Sequence, residues 1–303
     1  MKNEHNRLIK AIKKPEWLFG AILRRSFGKW MNDRNFIRWE FFSGMRKFPD
    51  LENPVTYNEK LQWLKLNDIH PEYTDVVDKY EAKEFVRNII GDEYIIPTIG
   101  VWNSFDEIDF DKLPNQFVLK TTHDSGGVVV VKDKSKFNRA KAKSKLDKSL
   151  RHDYFLEHRE YPYKNVKRRI IAEEYMEDSS GELMDYKFFC FDGKCKMLFV
   201  ATDRSKKDVK FDFFDEHFNH LPFEQGHPNA AIVPQKPLGF YDMVLLAEKL
   251  SKGYRHVRVD LYNINGKIYF GELTFFHFSG NVPFVPAVWD KKIGDWLKLP
   301  IDK

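Results

Sequence analysis

The sequence predicts an α+β fold in which helices pack on antiparallel β-sheets, and three stretches carry this prediction. Residues 258–274 place β-rich runs on either side of Asn265-Gly266, residues 117–131 surround a glycine-containing loop, and residues 183–202 surround Asp192-Gly193. Each stretch is typical of two antiparallel strands joined by a short turn. Helical spacing of apolar residues elsewhere indicates intervening helices, within residues 57–67, 75–90 and 237–253.

Length and composition indicate a well-packed protein. The 303 residues exceed a typical single domain, so one large domain or two closely packed domains are expected. Its 27 Phe, 13 Tyr and 7 Trp are far from the composition of a disordered chain. We find neither a run of about 18 apolar residues nor a secretory leader pattern, so we expect a cytoplasmic protein without a spanning helix.

Positive charge is concentrated near the amino terminus. Residues 1–50 contain 12 Lys/Arg and 5 acidic residues, a net charge of +7, whereas the remainder carries −2. The basic residues alternate with aromatic ones at helical spacing, which predicts a basic amphipathic helical region. Such a region suits the inner, anionic face of a membrane, although a helical layer docked on the core with its basic side in water is the preferred interpretation. Without a recognition module, nucleic-acid binding is not expected.

The first helix after this region carries a strong local signal. Thr56 can cap the helix Tyr57–Asn67, and Glu59 stands three residues later, as in a capping box. A second helix is predicted over Asp75–Ile90, containing Asp78-Lys79 and ending before Gly91. Strand-like runs follow at 94–97 and 99–102.

Residues 105–113 form a polar connection that contains Asp109-Phe110-Asp111. An Asp-x-Asp triplet is found in sugar-nucleotide glycosyltransferases, but in a polar connector a solvated turn is the preferred interpretation. Phe117–Lys120 then reads as a buried strand.

A loop of small and polar residues, Thr121–Gly127, follows this strand and precedes the strand Val128–Val131. Backbone amides in such a loop can bind phosphates, with Lys120 supplying positive charge. The loop lacks the Gly-Lys-Ser/Thr ending and the following helix of a P-loop. On its own it therefore indicates little more than a hairpin turn.

The middle of the chain supplies further strands. Charged helices are predicted over 137–158, a strand ending in acids over 169–176, and a hairpin from Leu183–Cys190 and Lys194–Thr202. Alternation places Asp185, Lys187 and Phe189 on one face of that hairpin.

Cys190 and Cys195 would face each other across a two-residue turn and would separate with a three-residue turn. Two cysteines in so long a chain favour a reducing compartment and two thiols.

Residues 211–234 read as irregular and contain His217, His220 and His227. No short ligand pair accompanies these histidines, so we predict surface histidines rather than a zinc site.

The hairpin over residues 258–274 is the strongest candidate for a functional wall. Asn265-Gly266 fits a two-residue loop or a three-residue loop that begins at Ile264. We favour the three-residue loop, in which Asn263 pairs with Lys267 and Arg258 lies opposite Glu272. One face then carries Arg258, Asp260, Glu272 and Thr274, and the other carries Val257, Val259, Leu261, Tyr269, Leu273 and Phe275. Two carboxylates and a guanidinium on one face describe a wall that can hold Mg²⁺ and phosphate, although a surface ion pair is the simpler alternative.

In order, these motifs resemble those of ATP-grasp enzymes, and more closely the TupA-like branch that is associated with teichuronopeptide and surface-polysaccharide synthesis. The resemblance covers about residues 50–297. It is carried by Thr56–Trp63, Asp185–Gly193, Arg258–Tyr262 and Gly271–Phe275. It implies an ATP-grasp fold of two α+β subdomains, with a catalytic domain over 51–303, a subdomain boundary near 170–180, and residues 1–50 in place of the usual amino-terminal domain.

The same resemblance implies roles for individual residues in binding ATP and Mg²⁺. The phosphates would be bound by Lys79, Lys120 and the loop that includes His123, Ser125, Gly126 and Gly127. The nucleoside would be lined by Glu173, Glu174, Tyr175, Met176 and Asp185. Asp260 and Glu272 would hold metal, while Arg258 and Lys187 would contact the transferred group or the substrate. Thr274 stands where the family pattern has Asn, which leaves a second Mg²⁺ without its usual ligand.

The function implied is ATP-dependent ligation of a carboxylate to an amine through an acyl phosphate. The acceptor would be a cell-surface or capsular glycan or its uronic-acid precursor, and the amine an amino acid. Two alternatives remain: a glycosyltransferase of the same biosynthesis, and a nucleotide-binding assembly factor without catalysis.

Overall fold

The computed structural model describes residues 19, 20, 22, 28–178, 183–203 and 208–301. It confirms the predicted α+β class: antiparallel sheets with helices packed against them. The helices are α1 Asp33–Met45, α2 Tyr57–Asn67, α3 Tyr73–Val77, α4 Glu81–Ile90, α5 Arg139–Leu150, α6 Phe155–His158, α7 Phe240–Leu250 and α8 Val288–Gly294.

The first sheet has four strands in the order β1-β4-β2-β3. Its strands are β1 Thr98–Trp102, β2 Phe117–Thr121, β3 Val128–Val131 and β4 Ile170–Glu174. All pairs are antiparallel, and β3 is an edge strand. One face packs on α5 around Phe117, Leu119 and Leu146, which form a compact core of their own.

The second sheet has five antiparallel strands in the order β10-β9-β5-β6-β7. Its strands are β5 Asp185–Phe191, β6 Lys194–Thr202, β7 Lys210–Asp215, β9 His256–Ile264 and β10 Lys267–Thr274. A two-stranded ribbon, β8 Glu224–Gln225 with β11 Phe284–Val285, forms a separate small sheet. The larger core packs on this sheet and draws α2, α4 and α7 against it.

The start of α2 follows the sequence prediction. The Thr56 hydroxyl accepts from the Glu59 amide at 3.3 Å, and the Glu59 carboxylate accepts from the Thr56 amide at 3.1 Å. Both halves of the predicted capping box are present. This helix supplies buried polar side chains to the segment after β10: Gln62 donates to Ser279 O and Lys65 donates to Ser279 Oγ.

The helix predicted over Asp75–Ile90 is wrong as a single element. It is two helices, α3 and α4, separated at Asp78-Lys79-Tyr80. The Asp78 carboxylate accepts from the amides of Tyr80 and Glu81 at 2.8 and 3.3 Å, and thereby starts a new helix. Lys79 therefore lies in a bend instead of on a helix face.

Two other assignments also require correction. Residues 94–97 are not a strand, since Asp92–Tyr94 forms a 3₁₀ turn and the Ile96 carbonyl accepts from Lys83 Nζ at 2.8 Å. Residues 211–234, predicted as irregular, contribute most of β7 and all of β8. Asp212 is the residue that hid strand β7 from the sequence prediction. It is an acid that is fully buried within the strand, where it accepts from the Ala230 amide at 3.2 Å.

The hairpin of β5 and β6 resolves the cysteine question. Asp192 and Gly193 have φ of +46° and +76°, so the turn has two residues and Cys190 pairs with Cys195. Both are buried free thiols, as expected.

Part of the basic region is visible as α1, which docks on the body of the protein. Phe36, Ile37 and Glu40 of α1 are buried, and Glu40 Oε1 lies 2.7 Å from His158 Nδ1. The remaining helices predicted within residues 1–50 fall largely outside the described residues. None of the helices in the described ranges combines the length and apolar composition needed to cross a bilayer.

The capping box gives a test of local stability. Thr56→Ala removes the acceptor for the Glu59 amide and should lower the free energy of unfolding by about 1 kcal/mol. Thr56→Ser keeps the hydroxyl and should lie near wild type. Urea unfolding of the three proteins measures this, and equal losses for Ala and Ser would contradict the role of the cap.

Candidate active site

The β9–β10 hairpin differs from the favoured register at its turn. Asn265 and Gly266 both have positive φ, +54° and +91°, and Lys267 pairs with Ile264. The turn is therefore the two-residue type, and the three-residue prediction is wrong. In an uninterrupted ladder this register would place Asp260 and Glu272 on opposite faces.

A bulge at Gly271 restores the predicted face. Phe270 pairs with Leu261, but the next pair is Glu272 with Asp260, so Gly271 is the extra residue. A Cβ here would lie 3.0 Å from the Asp260 carbonyl oxygen, which explains the glycine. Tyr269 lies before the bulge, so it keeps the register of the two-residue turn and pairs with Tyr262. It is therefore not on the apolar face on which it was predicted. A glycine inside a strand was the sequence signal for this bulge.

Three oxygens converge on one guanidinium nitrogen. Arg258 Nη2 lies 2.8 Å from Asp260 Oδ2, 3.3 Å from Glu272 Oε1 and 3.1 Å from Thr274 Oγ1. Arg258 Nε donates to Asp260 Oδ1 at 2.7 Å, which makes the contact with that carboxylate bidentate. The four side chains predicted to share a face are thus joined by one network.

The neighbouring strand adds a lysine to this network. Lys187 on β5 pairs directly with Asp260 on β9. Its ammonium group donates to Asp260 Oδ2 and lies 3.1 Å from Asp185 Oδ2. The face predicted for Asp185 and Lys187 therefore points at the Arg258 network.

The two acids of the hairpin differ in environment. Burial raises the pKa of Asp260 to about 6, against the opposing influence of Arg258 and Lys187. Burial also acts to raise the pKa of Glu272, but Lys187, Lys79 and Arg258 outweigh it and lower that pKa to about 2. The Glu272 side chain is 38% exposed, so it presents an ionised carboxylate to solvent.

His277 completes the environment of Arg258, and sequence reasoning missed it. Arg258 Nη1 donates to His277 Nδ1 at 2.8 Å, and the imidazole is 1% exposed. Burial, together with Arg258, lowers the pKa of His277 well below its ordinary value, so the ring is a neutral acceptor. The only sequence signal was a histidine inside an aromatic run directly after β10.

The opposite wall, on the four-stranded sheet, has its own buried ion pairs. Glu173 is 4% exposed and lies between Lys83, at 2.6 Å, and Lys120, at 2.5 Å. Burial alone would raise the pKa of Glu173, but the two lysines lower it. Lys83 was not singled out from the sequence, and it occupies one oxygen of the carboxylate that was expected to line the nucleoside.

The Asp124 side chain stabilises the Thr121–Gly127 loop through hydrogen bonds. Its carboxylate accepts from Thr121 Oγ1 at 2.5 Å, from the Gly127 amide at 3.1 Å and from Ser149 Oγ. His123 is buried and lies 3.2 Å from the Ser149 carbonyl oxygen, so its side chain points into the protein.

The rest of the loop divides into an outer and an inner part. Ser125 and Gly126 are exposed, whereas Gly127 is buried. A Cβ at Gly127 would lie 1.8 Å from Thr121 Oγ1, so packing requires this glycine. The Lys79 ammonium group donates to the Asp124 carbonyl, which ties the loop to the bend between α3 and α4.

Between these walls lies a cleft of about 440 Å³. Ten of the residues predicted for the site line it: Lys79, Lys120, Ser125, Glu173, Glu174, Tyr175, Met176, Asp185, Lys187 and Glu272. The other predicted residues lie outside its lining: His123, Gly126, Gly127, Arg258, Asp260 and Thr274. Asp260 contacts Lys187, Arg258 contacts Glu272, and Thr274 contacts Arg258, so these three residues support the wall from behind.

The donor set fits one hard cation. Asp260, Glu272 and Thr274 supply two carboxylates and a hydroxyl around a single positively charged nitrogen, and such oxygens are the ligands that Mg²⁺ prefers. In the described residues no group of three or more His, Cys, Asp or Glu side chains could hold a metal ion. The assignment of Asp260, Glu272 and Thr274 to Mg²⁺ therefore stays a prediction.

Other candidate motifs do not join this site. His220 lies 3.3 Å from Asp212 Oδ1, His227 packs on Phe211, and no metal cluster forms around them in the described ranges. Asp109 caps a 3₁₀ turn, and both Asp109 and Asp111 are exposed there. The prediction of a solvated turn is confirmed.

Comparison with protein families matches residues 59–298 to the model described as TupA-like ATPgrasp. Among solved structures, D-alanine–D-alanine ligase from Bacillus anthracis aligns with a TM-score of 0.37 at 18% identity, over 66% of this chain and 57% of that one. The same enzyme from Helicobacter pylori aligns with a TM-score of 0.40 at 16% identity, over 80% and 69%. ATP-grasp ligase PsnB, with a phosphomimetic variant of its minimal precursor, Mg and ADP, aligns with a TM-score of 0.35 at 11% identity, over 90% and 62%. This chain thus spans little more than half of the Bacillus anthracis enzyme. We found no match among curated proteins.

The two loop glycines give a matched test of the loop's architecture. Gly127→Ala forces its Cβ against Thr121 Oγ1 and Ser149 Oγ, at 1.8 and 2.4 Å, and should lower the free energy of unfolding by about 1–3 kcal/mol. Gly126→Ala meets nothing closer than 4.0 Å and should stay within about 0.5 kcal/mol of wild type. Denaturant unfolding compares them, and similar values for the two variants would refute the packing role of Gly127.

Proposed function

The chain belongs to the TupA-like ATP-grasp family, and from that premise we propose that it is an ATP-dependent carboxylate–amine ligase. ATP is its phosphoryl donor and Mg²⁺ its cofactor. The supporting observation is that Arg258 and Asp260 meet Glu272 behind the wall of a cleft that Glu272, Lys79, Lys120 and Lys187 line. Phosphoryl transfer requires cations beside the phosphate oxygens, where they stabilise the charge of the transition state.

The chemistry follows from charge. A carboxylate reacts poorly with an amine because oxide or hydroxide is a poor leaving group. An acceptor carboxylate oxygen attacks the γ-phosphorus of ATP, ADP leaves, and an acyl phosphate forms. The amine nitrogen then attacks the acyl carbon, inorganic phosphate departs with that carboxylate oxygen, and the nitrogen loses a proton. Placement and electrostatic stabilisation supply most of the catalysis for such a transfer.

The residues of this chain have distinct parts in that scheme. Lys79 and Lys187 reach the cleft as ammonium donors and neutralise phosphate oxygens. Arg258, held in place by Asp260 and His277, stabilises charge on the transferred group. Asp260 and Glu272 would hold Mg²⁺, which when bound supplies charge neutralisation at the phosphates.

The substrates that we propose are a cell-surface or capsular glycan, or its uronic-acid precursor, and an amino acid. This part of the proposal is supported by the family to which the chain belongs. The glycosyltransferase alternative has no comparable support, because Asp109 and Asp111 lie in an exposed turn instead of the cleft. A non-catalytic nucleotide-binding role is the alternative that Thr274 keeps open.

Replacement of Glu272 tests the assignment. Glu272→Gln removes the ionised carboxylate at nearly constant shape and should lower ADP release from ATP, with an amino acid and a uronic acid present, on the order of 10²-fold. Glu272→Ala should behave alike, and circular dichroism should show an intact fold for both. ATP turnover that is unchanged in both variants would overturn the assignment.

The control variant addresses the competing enzyme class. Asp109→Asn changes an exposed acid that is not part of the cleft lining and should leave ADP release at the wild-type level. Release of UDP from UDP-sugars, lost in Asp109→Asn and retained in Glu272→Gln, would establish the glycosyltransferase alternative instead.

We also propose that the amino-terminal region attaches the protein to the cytoplasmic face of an anionic membrane. Its visible part supports this idea: Trp39 and Phe48 are 41% and 42% exposed and stack edge to face, and Arg38 lies over the Phe48 ring. Aromatic rings beside cations suit the interface of an anionic bilayer.

Sedimentation with liposomes tests this attachment. The full chain should sediment with anionic vesicles and remain in solution with neutral ones, and binding should weaken at about 1 M salt, where charge is screened within about 3 Å. A chain lacking residues 1–18 loses Lys2, Arg7, Lys10, Lys13 and Lys14 and should bind less, while it keeps α1. Equal sedimentation of both chains with both vesicle types would contradict the proposal.

A further inference from the structure

A second groove, of about 600 Å³, runs along the outer edge of β3 beside α5. Lys132, Lys136, Lys141 and Lys145 line it, with Asp133 as its one acidic lining residue. Val128, Val130 and Lys132 line both this groove and the cleft, so the two concavities share part of their wall. The groove is therefore next to the proposed reaction site, although the proposed chemistry does not use it.

The groove lies in the most basic described segment of the chain. Residues 132–151 contain nine Lys/Arg and two Asp, a net charge of +7, against +5 for the whole chain. The buried side of α5 is formed by Ala142, Leu146 and Ser149. Lys141 directly precedes Ala142 in the sequence, and Lys145 directly precedes Leu146. These two lysines are about 6 Å apart along the helix axis. Such a row of cations matches a polymer with repeated negative charges.

The edge of β3 favours a glycan over an added peptide strand. Strand addition requires a row of open backbone groups. Here the Val128 amide donates to the Gly126 carbonyl at 3.1 Å, and the Val128 carbonyl accepts from Lys145 Nζ at 2.5 Å. At the other end, the Lys132 carbonyl accepts from Gln116 Nε2 at 3.2 Å. Both ends of the edge are thus occupied by contacts within the chain. Lys132 and Lys136 pair with Glu177 and Asp133 at 3.0 and 3.1 Å, so Lys141 and Lys145 are the lining lysines that have no acidic partner in the described part of the chain.

The direction of the groove suits delivery of an acceptor to the cleft. The Val128 end of β3 adjoins the exposed loop residues Ser125 and Gly126, and Ser125 lines the cleft together with Lys79 and Glu272. A strand of four residues extends about 13 Å. A polymer lying along β3 therefore has one end at the loop that borders the phosphate side of the cleft.

We propose that this groove binds the chain of an acidic glycan, a polymer of uronic-acid units, and presents one of its carboxylates to the cleft. The identity of the acceptor in this proposal rests on the proposed function. The groove binds the part of the acceptor that does not react. Lys141 and Lys145 bind successive carboxylates, and Lys132 is one of the residues that line both the groove and the cleft.

The test is binding of a fluorescently labelled polygalacturonate oligomer to the full chain without ATP at about 0.15 M salt, where the Debye length is about 8 Å. Lys141→Gln with Lys145→Gln should weaken binding roughly tenfold, the loss of two modest ion pairs. The matched control is Arg139→Gln with Lys143→Gln, which removes the same charge from the same helix. Arg139 and Lys143 face Asp111 and Asp106 instead of the groove, so this control should stay within about twofold of wild type.

Each outcome decides the proposal. Loss in the groove variant alone, with polygalacturonate bound more tightly than polyglutamate of equal length, supports it. Equal loss in both variants indicates attraction to net charge and overturns it, as does absence of binding to wild type. Equal or tighter binding of polyglutamate through the same lysines assigns the groove to an acidic peptide and overturns the glycan.

The experiment also separates this proposal from the proposed function. Glu272→Gln should bind the oligomer as wild type does, because Glu272 is outside the groove. A wild-type protein that binds polygalacturonate through the groove but releases no ADP would refute the ligase and not the groove. ADP release with small acceptors and no polymer binding would refute the groove alone.

Discussion

Burial of one guanidinium sets the conditions for the rest of the site. Arg258 is 8% exposed, and a cation in that position is stable only if acids and hydrogen-bond acceptors surround it. Asp260, Glu272 and Thr274 provide them on the hairpin itself, and His277 provides the last acceptor from the next segment. This requirement explains why the ladder bulges: without the extra residue before Glu272, that acid would point away from the guanidinium.

Both walls of the cleft contain buried charges, and each wall neutralises them with the opposite arrangement of acids and bases. On the five-stranded sheet a buried arginine is surrounded by acids, whereas on the four-stranded sheet a buried acid, Glu173, is surrounded by Lys83 and Lys120. Neither wall buries a charge without an opposite charge, which is the condition under which ionised groups persist inside a protein. The cations of both walls remain close to the cleft, where an anionic ligand would interact with them at short range.

Local signals in the sequence predicted what they control, and long-range contacts decided the rest. The capping box at Thr56 was predictable because both partners lie within four residues. The prediction placed Arg258 and Glu272 on one face but assumed a three-residue turn. The turn has two residues, and the unrecognised bulge at Gly271 supplies the extra residue that returns Glu272 to that face. The break at Asp78 and the contact of His277 with Arg258 could not be predicted, because they depend on side chains that meet only after folding.

The central claim is that the cleft activates a carboxylate by phosphorylation, and the fate of the carboxylate oxygen tests it most directly. Turnover with a uronic-acid acceptor in which both carboxylate oxygens are a heavy isotope, followed by mass spectrometry of the released phosphate, records that fate. The account predicts one labelled oxygen in each phosphate that accompanies amide formation. Unlabelled phosphate would mean that water had attacked ATP, and would contradict the acyl-phosphate route and the role assigned to the site.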